Sequence, residues 1–263
     1  MTCVCVIAHY AFMRQKDLTA YLNDYLRLGT IVDSGPQGLQ VEADCEEINR
    51  IALAVDTSPA TIQAAADWQA DMLLVHHGIF WGGAERIAGP FGRRVKMLIQ
   101  NDIHLFAAHL ALDAHPEVGN NAVLAQMFGV EVVSWWGDAK GTLIGVMGRL
   151  AEPMDVRDVE TAVNVQLSTN STLLAHGPTQ VQTVAIISGS GAGKVAEAKA
   201  LGADLFLTGE TSHSHYWAAS DYGMNVLFAG HYATETVGVR VLGQHLTEKF
   251  GLETQFFDFP TAM

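Results

Sequence analysis

The feature that most restricts the fold of this chain is an internal repeat of two strand-end segments. "QADMLLVHHG" (69–78) resembles "GADLFLTGET" (202–211), and further along "HLFAAHLALD" (104–113) resembles "NVLFAGHYATE" (225–235). Both later segments read Leu-Phe-Ala-x-His-x-x-x-acid. Two matched pairs in the same order predict two related α/β halves. Because open α/β sheets bind ligands beyond the carboxyl ends of their strands, we expect the two sets of strand ends to share one cleft.

The order of elements also favours an α/β fold. Buried strand patterns alternate with helical patterns up to about residue 130, which predicts a sheet with helices on its faces. The next stretch, "VEVVSWWGDAKGTLIGVMGRL", predicts short strands around glycine turns, and strand–helix alternation then returns. We therefore divide the chain into an N-terminal appendage (1–15), a first half (16–130) completed by the C-terminal segment, and a second half (131–263).

Helix ends are predicted from their capping residues. Asp17 is the expected N-cap of the first helix, and Ser58 followed by Pro59 is the expected start of the second. Asn120 or Asn121 is expected to cap the helix "AVLAQMFG".

Composition and charge exclude several classes of protein. Of the 263 residues, 49% are hydrophobic and 16% are charged, which is typical of a globular chain. The formal net charge of −13 repels phosphate backbones, so we expect no nucleic-acid partner, although a bound cation would admit a small anionic ligand. No apolar run reaches the roughly 20 residues of a membrane span. We therefore expect no membrane partner.

The cysteine content indicates a reducing compartment, the cytoplasm. The chain has 3 cysteines, Cys3, Cys5 and Cys45, which are too few for a disulfide framework. A metal site on Cys3 and Cys5 is disfavoured, because thiolate sites usually need further Cys or His ligands.

Two adjacent histidines end a buried strand in "DMLLVHHG". Successive strand side chains point to opposite faces, so His76 and His77 can enter one cavity only where the strand ends, as Gly78 allows. They are metal ligands or, alternatively, one hydrogen-bonded core histidine and one exposed histidine. Asp113 also follows a buried run, where a carboxylate needs a partner such as a metal; alternatively, it caps a turn.

His231 and Glu235 are four residues apart, so on one helical turn they would share a face. That spacing suits two ligands on one metal, and a glutamate can bridge two cations; alternatively, Glu235 complements the dipole of the last helix. The combined strand-end set is His76, His77, Asp113, His231 and Glu235. Three imidazoles and two carboxylates predict a site for two divalent metals with positions open to water. Such nitrogen and oxygen ligands accept Zn, Fe, Mn, Ni or Co.

Several other residues have more than one interpretation. Glu210 stands where His77 stands in the repeat, so it holds a metal ligand in place or acts as general base, unless it is a surface residue with His213 and His215. His115 and Glu117 are expected in a solvated loop. The tryptophans are expected in the core or at an interface, namely Trp81, Trp135, Trp136 and Trp217.

"SGSGAGKV" (188–195) is similar to a phosphate-binding P-loop but fails its pattern. Ser188 stands where that pattern requires Gly, and Val195 stands where it requires Ser or Thr. The segment predicts a tight glycine turn or, alternatively, backbone N–H groups that hold an anionic part of a ligand.

The motifs "LLVHHGIFW", "HLALDAHPEVGNNAVLA", "LTGETS" and "AGHYATETVGVRVL", with "GLQVE" near the start, resemble the GTP cyclohydrolase I type 2 family, also called the NIF-three-like family. The resemblance runs from about residue 16 to the end and is closest to the short bacterial members. It implies two related α/β halves, a toroidal homohexamer and a dinuclear metal site facing the inner cavity. The family's ligands fall on the strand-end set, and His109 matches a family histidine near the site.

The ligand set and the resemblance lead to one expected activity: a metal-dependent hydrolase that opens the imidazole ring of GTP. His109 and Glu210 are its expected catalytic or supporting groups. The loop "SHSHYW" (212–217) has extra histidines and departs from the pattern of the short members, which leaves the catalytic base there open. The alternatives are a metal-binding or metal-delivery protein without turnover of its own, and a metal-dependent hydrolase of another nucleotide or phosphoester.

Overall fold

The computed structural model describes residues 12–262. Cys3, Cys5 and most of the N-terminal appendage lie outside the described residues. The strands, in chain order, are β1 (Met13–Arg14), β2 (Gly38–Val41), β3 (Glu47–Ile48), β4 (Arg50–Asp56), β5 (Met72–His77), β6 (His104–Ala107), β7 (Val130–Ala139), β8 (Thr142–Asp155), β9 (Thr172–Ala175), β10 (Gln180–Ile187), β11 (Leu205–Thr208), β12 (Asn225–Phe228) and β13 (Glu253–Phe256).

The helices, in chain order, are α1 (Gln15–Tyr25), α2 (Pro59–Asp67), α3 (Gly89–Gln100), α4 (Leu110–Asp113), α5 (Asn120–Met127), α6 (Val156–Leu167), α7 (Val195–Ala200), α8 (Tyr216–Asp221) and α9 (His231–Phe250). Short 3₁₀ turns lie at Leu28–Thr30, Ala192–Lys194 and His213–His215. Within residues 12–262, no helix is both long enough and apolar enough to cross a membrane.

The first sheet has five strands in the order β13-β4-β5-β6-β2. Strands β13, β4, β5 and β6 are parallel, and β2 pairs antiparallel with β6 at the edge. Parallel strands that are buried on both faces have continuous apolar sequences, and in β5 only His77 is partly exposed. The last strand of the chain completes this sheet, because β13 pairs with β4.

The second sheet has six strands in the order β7-β8-β10-β11-β12-β9. Strands β10, β11 and β12 are parallel, β9 pairs antiparallel with β12, and β8 pairs antiparallel with β10. Three adjacent parallel strands beside an antiparallel edge strand, β2 or β9, thus occur in both sheets, and this edge strand precedes the three parallel strands in the chain each time. The prediction of an α/β fold with two related halves is confirmed.

The two halves share hydrogen bonds as well as strand order. Asp71 and Asp204 stand at the same place in the repeat, just before the middle parallel strand. Each carboxylate accepts two backbone hydrogen bonds of 2.7–3.0 Å from the neighbouring strand, Asp71 from Asn49 and Arg50, and Asp204 from Gln182 and Thr183. The same side chain therefore holds the adjacent strand just before its parallel pairing begins in both halves.

Helix α9 is packed between the two halves. Its Leu242 and Leu246 are buried in a core shared with the first sheet, and its Val237 is buried in the core of the second half. Because both cores hold this helix, its first turn is fixed at the junction where the carboxyl ends of the two sheets meet.

The predicted start of α2 is confirmed. Ser58 Oγ accepts a hydrogen bond of 3.1 Å from the Thr61 N–H, and Pro59 is the first helical residue. The predicted N-cap Asp17 is wrong, because α1 already begins at Gln15 with Arg14 as its N-cap. The Asn120 and Asn121 caps are also wrong: Gly119 is the N-cap of α5, since both asparagine side chains are fully buried and bond elsewhere.

Two further expectations differ from the structure. Strands β7 and β8 are long, at 10 and 14 residues, because they pair with each other and sustain a continuous antiparallel ladder with one register shift. His115 is not solvated and is only 7% exposed, because the loop folds back over α1. The His115 ring bonds the Tyr25 carbonyl at the end of that helix. Glu117 is exposed, as expected.

Candidate metal centre

Six polar side chains converge where the carboxyl ends of β5 and β6 meet the start of α9. They are His76, His77, His109, Asp113, His231 and Glu235. The imidazole ring centroids of His76 and His77 are 4.7 Å apart, and those of His77 and His231 are 5.5 Å apart. The strand ends of one half thus face the first helical turn from the other half.

Glu235 lies at the middle of this cluster and is 4% exposed. Its Oε1 is 3.6 Å from His76 Nε2, and its Oε2 is 3.3 Å from His77 Nε2. The same Oε2 is 3.1 Å from His231 Nε2, as the four-residue spacing on α9 predicts. One carboxylate therefore contacts three imidazole Nε2 atoms, which is the geometry of a bridging ligand.

Each of the four histidines has its Nδ1 atom held by an oxygen acceptor behind the ring. Such a contact fixes the ring orientation and places the proton on Nδ1, so that the Nε2 lone pair can bind a metal. The Nδ1···O distances are 2.8–3.0 Å, for His76 to the Ala108 carbonyl, His77 to Asp56, His109 to Asp33 and His231 to Glu210.

Two other buried histidines have a different hydrogen-bonding pattern. His104 Nδ1 accepts a hydrogen bond from the Ala43 N–H, and its Nε2 lies 2.8 Å from the Cys45 carbonyl. His115 Nδ1 accepts from the Val118 N–H, and its Nε2 lies 3.1 Å from the Tyr25 carbonyl. Both nitrogens of each ring bond the backbone, so these histidines hold loops in place and have no free ligand atom.

Asp113 is 4% exposed and is oriented by two donors on one oxygen. Its Oδ1 accepts hydrogen bonds from Asn120 Nδ2 at 2.9 Å and from Ser188 Oγ at 3.0 Å. Its Oδ2 is left facing His76 Nε2 at 3.7 Å. The buried asparagine thus orients a carboxylate instead of capping a helix.

The donor set fits a divalent metal. Among the described residues, His76 Nε2 and Glu235 Oε2 are buried atoms without a hydrogen-bond partner. A buried polar atom that lacks a partner is costly, and a cation would satisfy both. Ligand atoms within 4.8 Å of one another are offered by His77, His231 and Glu235, and also by His76, His77 and His109.

In the absence of a cation, the charges of the cluster shift its pKa values. Burial opposes protonation of His76, but the carboxylates of Asp113 and Glu235 outweigh it and raise the pKa of His76 to about 9. Close contact with Glu235 raises the pKa of His231 to about 9, against the effect of burial. Burial would raise the pKa of Glu235, but the neighbouring imidazoles hold it well below its usual range. Protons on these imidazoles therefore balance the negative charge of the carboxylates, as a bound cation would.

The glycine loop after β10 closes one side of the cluster. Gly189 has φ +61°, and a Cβ there would overlap Glu235 Oε1. Its N–H donates to Thr234 Oγ1 at 3.0 Å. The segment "SGSGAGKV" is therefore a tight turn that approaches the site with its backbone, as the sequence predicted.

The structure brings the five predicted ligands together, and His109, which was also expected near the site, lies beside them. Glu210 lies behind His231 and does not enter the cluster itself. His213 is exposed and His215 is half-buried on the neighbouring 3₁₀ turn. Asp33 and Asp56 were missed as supporting residues, although Asp56 gave a signal, because it ends the buried strand "IALAVD" much as Asp113 follows "LAL".

The tryptophans divide between core and surface. Trp136 is 3% exposed, as expected of a core residue, and Trp135 is half-buried. Trp81 and Trp217 are 46% and 63% exposed, so the core does not accommodate them. Trp81 lies beside the histidine cluster.

Comparison with known proteins gives consistent matches over almost the whole chain. Residues 13–262 match the sequence model of the family described as Duf34/NIF3 (NGG1p interacting factor 3). A Deinococcus radiodurans protein named GTP cyclohydrolase 1 type 2 homolog is 45% identical over 251 residues, which covers 95% of this chain and 94% of that protein. A Pyrococcus abyssi protein of the same name is 40% identical over 252 residues, which covers 95% of this chain and 100% of that protein.

Solved structures show the same fold. The ybgI protein, described as of unknown function, has a TM-score of 0.90 at 35% identity. A protein from Thermus thermophilus has a TM-score of 0.86 at 38% identity. Each match covers 95% of this chain and 100% of the other chain.

Proposed function

The chain belongs to the Duf34/NIF3 family, and we propose that it is a dinuclear metal-dependent hydrolase that opens the imidazole ring of GTP. The observation that carries this proposal is the convergence of four imidazoles and two carboxylates, from both halves, in one cluster. Relatives named GTP cyclohydrolase 1 type 2 homolog support a purine nucleotide as the substrate.

Two overlapping groups of residues would hold the metals. His77, His231 and Glu235 form one group, and His76 with Asp113 forms the other, with Glu235 able to serve both. Metals bound there would supply Lewis acidity and a water whose pKa is lowered toward neutrality. The nitrogen and oxygen donors suit Zn, Fe, Mn, Ni or Co.

His109 is the residue of this chain that we assign to proton transfer. Burial would raise the pKa of Asp33, but its hydrogen bond with His109 and its backbone donors lower that pKa, so the carboxylate is ionised. This ionised Asp33 holds His109 Nδ1 at 2.9 Å and directs Nε2 toward the cluster. The His109 side chain is 22% exposed, so Nε2 can accept a proton from water and return it to the opened ring.

Glu210 has a positioning role in this scheme. Its Oε1 lies 3.0 Å from His231 Nδ1, which makes it the orienting carboxylate of a proposed metal ligand. A general base would instead need its oxygen free on the cleft side of the imidazole. Glu210, which stands at the position of His77 in the repeat, therefore supports the metal centre by holding the Nδ1 side of His231.

The activity is tested by formate release from GTP. Hydrolysis with one water opens the ring to a formamide, and a second water releases formate. Metal-loaded protein should release formate, and His76→Ala should abolish the release. The matched control is His176→Ala, because His176 is exposed and follows β9 at the end of the sheet opposite the cluster. Formate release by the parent protein that is no faster than that of His76→Ala would contradict the GTP reaction at this site.

His109→Ala separates proton transfer from metal binding. We expect it to keep both metals and to lose formate release by about 10²- to 10⁴-fold, the usual effect of removing a general acid–base group. Metal content is measured by elemental analysis of the dialysed protein. Loss of one metal per chain in this variant would instead make His109 a ligand.

A second candidate function is metal delivery without turnover. It is favoured by the exposed 3₁₀ turn beside the centre, where His213 is exposed and Ser212 Oγ lies 3.0 Å from His215 Nδ1. A delivery protein would transfer metal rapidly to an acceptor apo-enzyme, and the double variant His213→Ala/His215→Ala would slow that transfer. Slow metal exchange together with formate release would exclude this function.

Two further parts of the proposal concern substrate and assembly. A hydrolase of another nucleotide or phosphoester would show turnover of that compound, but not of GTP, with the same loss in His76→Ala.

We also propose the toroidal homohexamer that the family resemblance implies. Light scattering on the metal-loaded protein tests it, and a monomer or dimer mass would contradict it.

A further inference from the structure

Trp81 forms an exposed wall beside the histidine cluster. Its indole ring centroid is 5.0 Å from the His109 imidazole and 5.8 Å from the His77 imidazole. The residue is nevertheless 46% exposed. A large apolar side chain that leaves almost half of its surface in water gains little from packing, so burial does not explain its position.

Trp81 is held in a fixed orientation. Its Nε1–H donates to the Gly78 carbonyl at 3.2 Å, which ties the indole to the end of β5. The loop around it is tied at both ends, because the Ile79 N–H donates to Gln40 Oε1 at 2.8 Å and the Gly82 N–H donates to the Ser34 carbonyl at 2.7 Å. An aromatic face that is already ordered loses little entropy when a ligand stacks on it.

We propose that the indole of Trp81 is a stacking platform for the substrate, which limits the substrate class to compounds with a flat aromatic heterocycle, such as purine nucleotides. The assignment rests on the proposed function, because it places the ring of that substrate against His109 and His77. Aromatic rings stack in offset arrangements with centroids about 4.5–7 Å apart, so a heterocycle stacked on the indole would be separated from the His109 ring by at most this spacing plus the 5.0 Å between the two protein rings.

The indole N–H is already used by Gly78, so Trp81 offers the ligand only its π face. Stacking on a π face requires a flat ring and makes no hydrogen bond to the edge of a base, so it does not distinguish one base from another. Trp81 should therefore hold guanine and adenine with similar strength. Discrimination between the two bases would have to come from other groups.

Trp217 provides a matched control. It is 63% exposed and lies in the first turn of α8, in the second half of the chain. Its aromatic contact is with Tyr216, at a centroid distance of 5.2 Å, and not with a histidine of the cluster. Removing it changes exposed indole surface without changing the wall that Trp81 forms.

The test compares ligands with and without a base. Zinc-loaded protein is titrated calorimetrically with GMP, AMP and ribose 5-phosphate, which share the phosphate. The parent protein should bind GMP and AMP about 5- to 150-fold more tightly than ribose 5-phosphate, the range expected for stacking one base. Trp81→Leu should remove most of this preference and leave zinc content and the ribose 5-phosphate affinity unchanged, whereas Trp217→Leu should keep the preference.

The conservative variant Trp81→Phe distinguishes loss of the indole from a local loss of structure. GMP should quench the tryptophan fluorescence of the parent protein and of Trp217→Phe, but not that of Trp81→Phe, which keeps an aromatic ring in the same place. Persistent quenching in Trp81→Phe, a base preference that survives Trp81→Leu, or no base preference in the parent protein would each overturn the platform. Failure of GTP to release formate while the base preference remains would reject the proposed reaction and not the platform.

Discussion

Raising the pH from 7 to 8 should tighten zinc binding to the metal-free protein about 80-fold, because two imidazoles must lose protons before they can bind a metal. Burial opposes protonation of His76, but the carboxylates of Asp113 and Glu235 outweigh it and raise the pKa of His76 to about 9, and contact with Glu235 raises the pKa of His231 to about 9. At pH 7 both rings are therefore protonated in the metal-free protein. Zinc binds the neutral form and releases both protons.

The size of the effect follows from the two raised pKa values. For a group with a pKa near 9, the neutral fraction grows about ninefold between pH 7 and pH 8, and two such groups give about 80-fold. Two histidines at the ordinary pKa of about 6.5 are already mostly neutral at pH 7 and would give less than about twofold. The two cases are easily separated by experiment.

The assay is competition with a chromogenic chelator, corrected for the chelator's own protonation. His231→Asn should reduce the effect to about ninefold, because one titrating ring is gone. His176→Asn, which changes an exposed histidine away from the cluster, should leave the effect of about 80-fold intact. A zinc affinity that is flat between pH 7 and pH 8 would refute the raised pKa values of His76 and His231.

Three further predictions concern support of the centre and of the fold. Asp56→Ala should weaken zinc binding about 10- to 100-fold in the same competition assay, because it removes the acceptor 2.8 Å from His77 Nδ1; an unchanged affinity would mean that this contact does not orient the ligand. Gly189→Ala should abolish tight zinc binding, because the added Cβ would overlap Glu235 Oε1. The control is Gly202→Ala, where φ is +84° and the space around the residue is open. This variant should still bind zinc and should lose about 1 kcal/mol of unfolding free energy. Leu74→Ala in the fully buried core should lower the free energy of unfolding in urea by about 2–5 kcal/mol, and Ile99→Ala, 59% exposed, by less than about 0.5 kcal/mol; equal losses would contradict the assigned burial.

The repeat and the strand-end residues could be recognised in the sequence because their signals lie in short runs of neighbouring residues. A buried parallel strand is a run of apolar residues, so a histidine or carboxylate directly after the run marks its carboxyl end. His76 and His77 carry that mark at the end of β5, whereas Asp113 follows the apolar run through β6 but lies in the short helix α4. The four-residue spacing of His231 and Glu235 likewise follows from the helix period alone.

The errors have a different origin. Asn120 was predicted to cap a helix because asparagine favours that position, but tertiary packing buries it against Asp113, where a stronger charge-assisted hydrogen bond is available. Asp33 gives no local signal at all, since it lies in a loop 76 residues before the histidine that it holds. Its role depends on which loops the fold brings together.

The amino-acid sequence alone determined the two α/β halves and which residue types end their strands, because apolar periodicity and chain order are local properties. Only the tertiary structure decided which of the histidines are free to bind a metal. His104 and His115 use both ring nitrogens on the backbone, whereas the four cluster histidines hold Nδ1 against an oxygen and direct Nε2 toward Glu235 or one another. That difference depends on acceptors up to 76 residues away in the chain, which no local pattern contains.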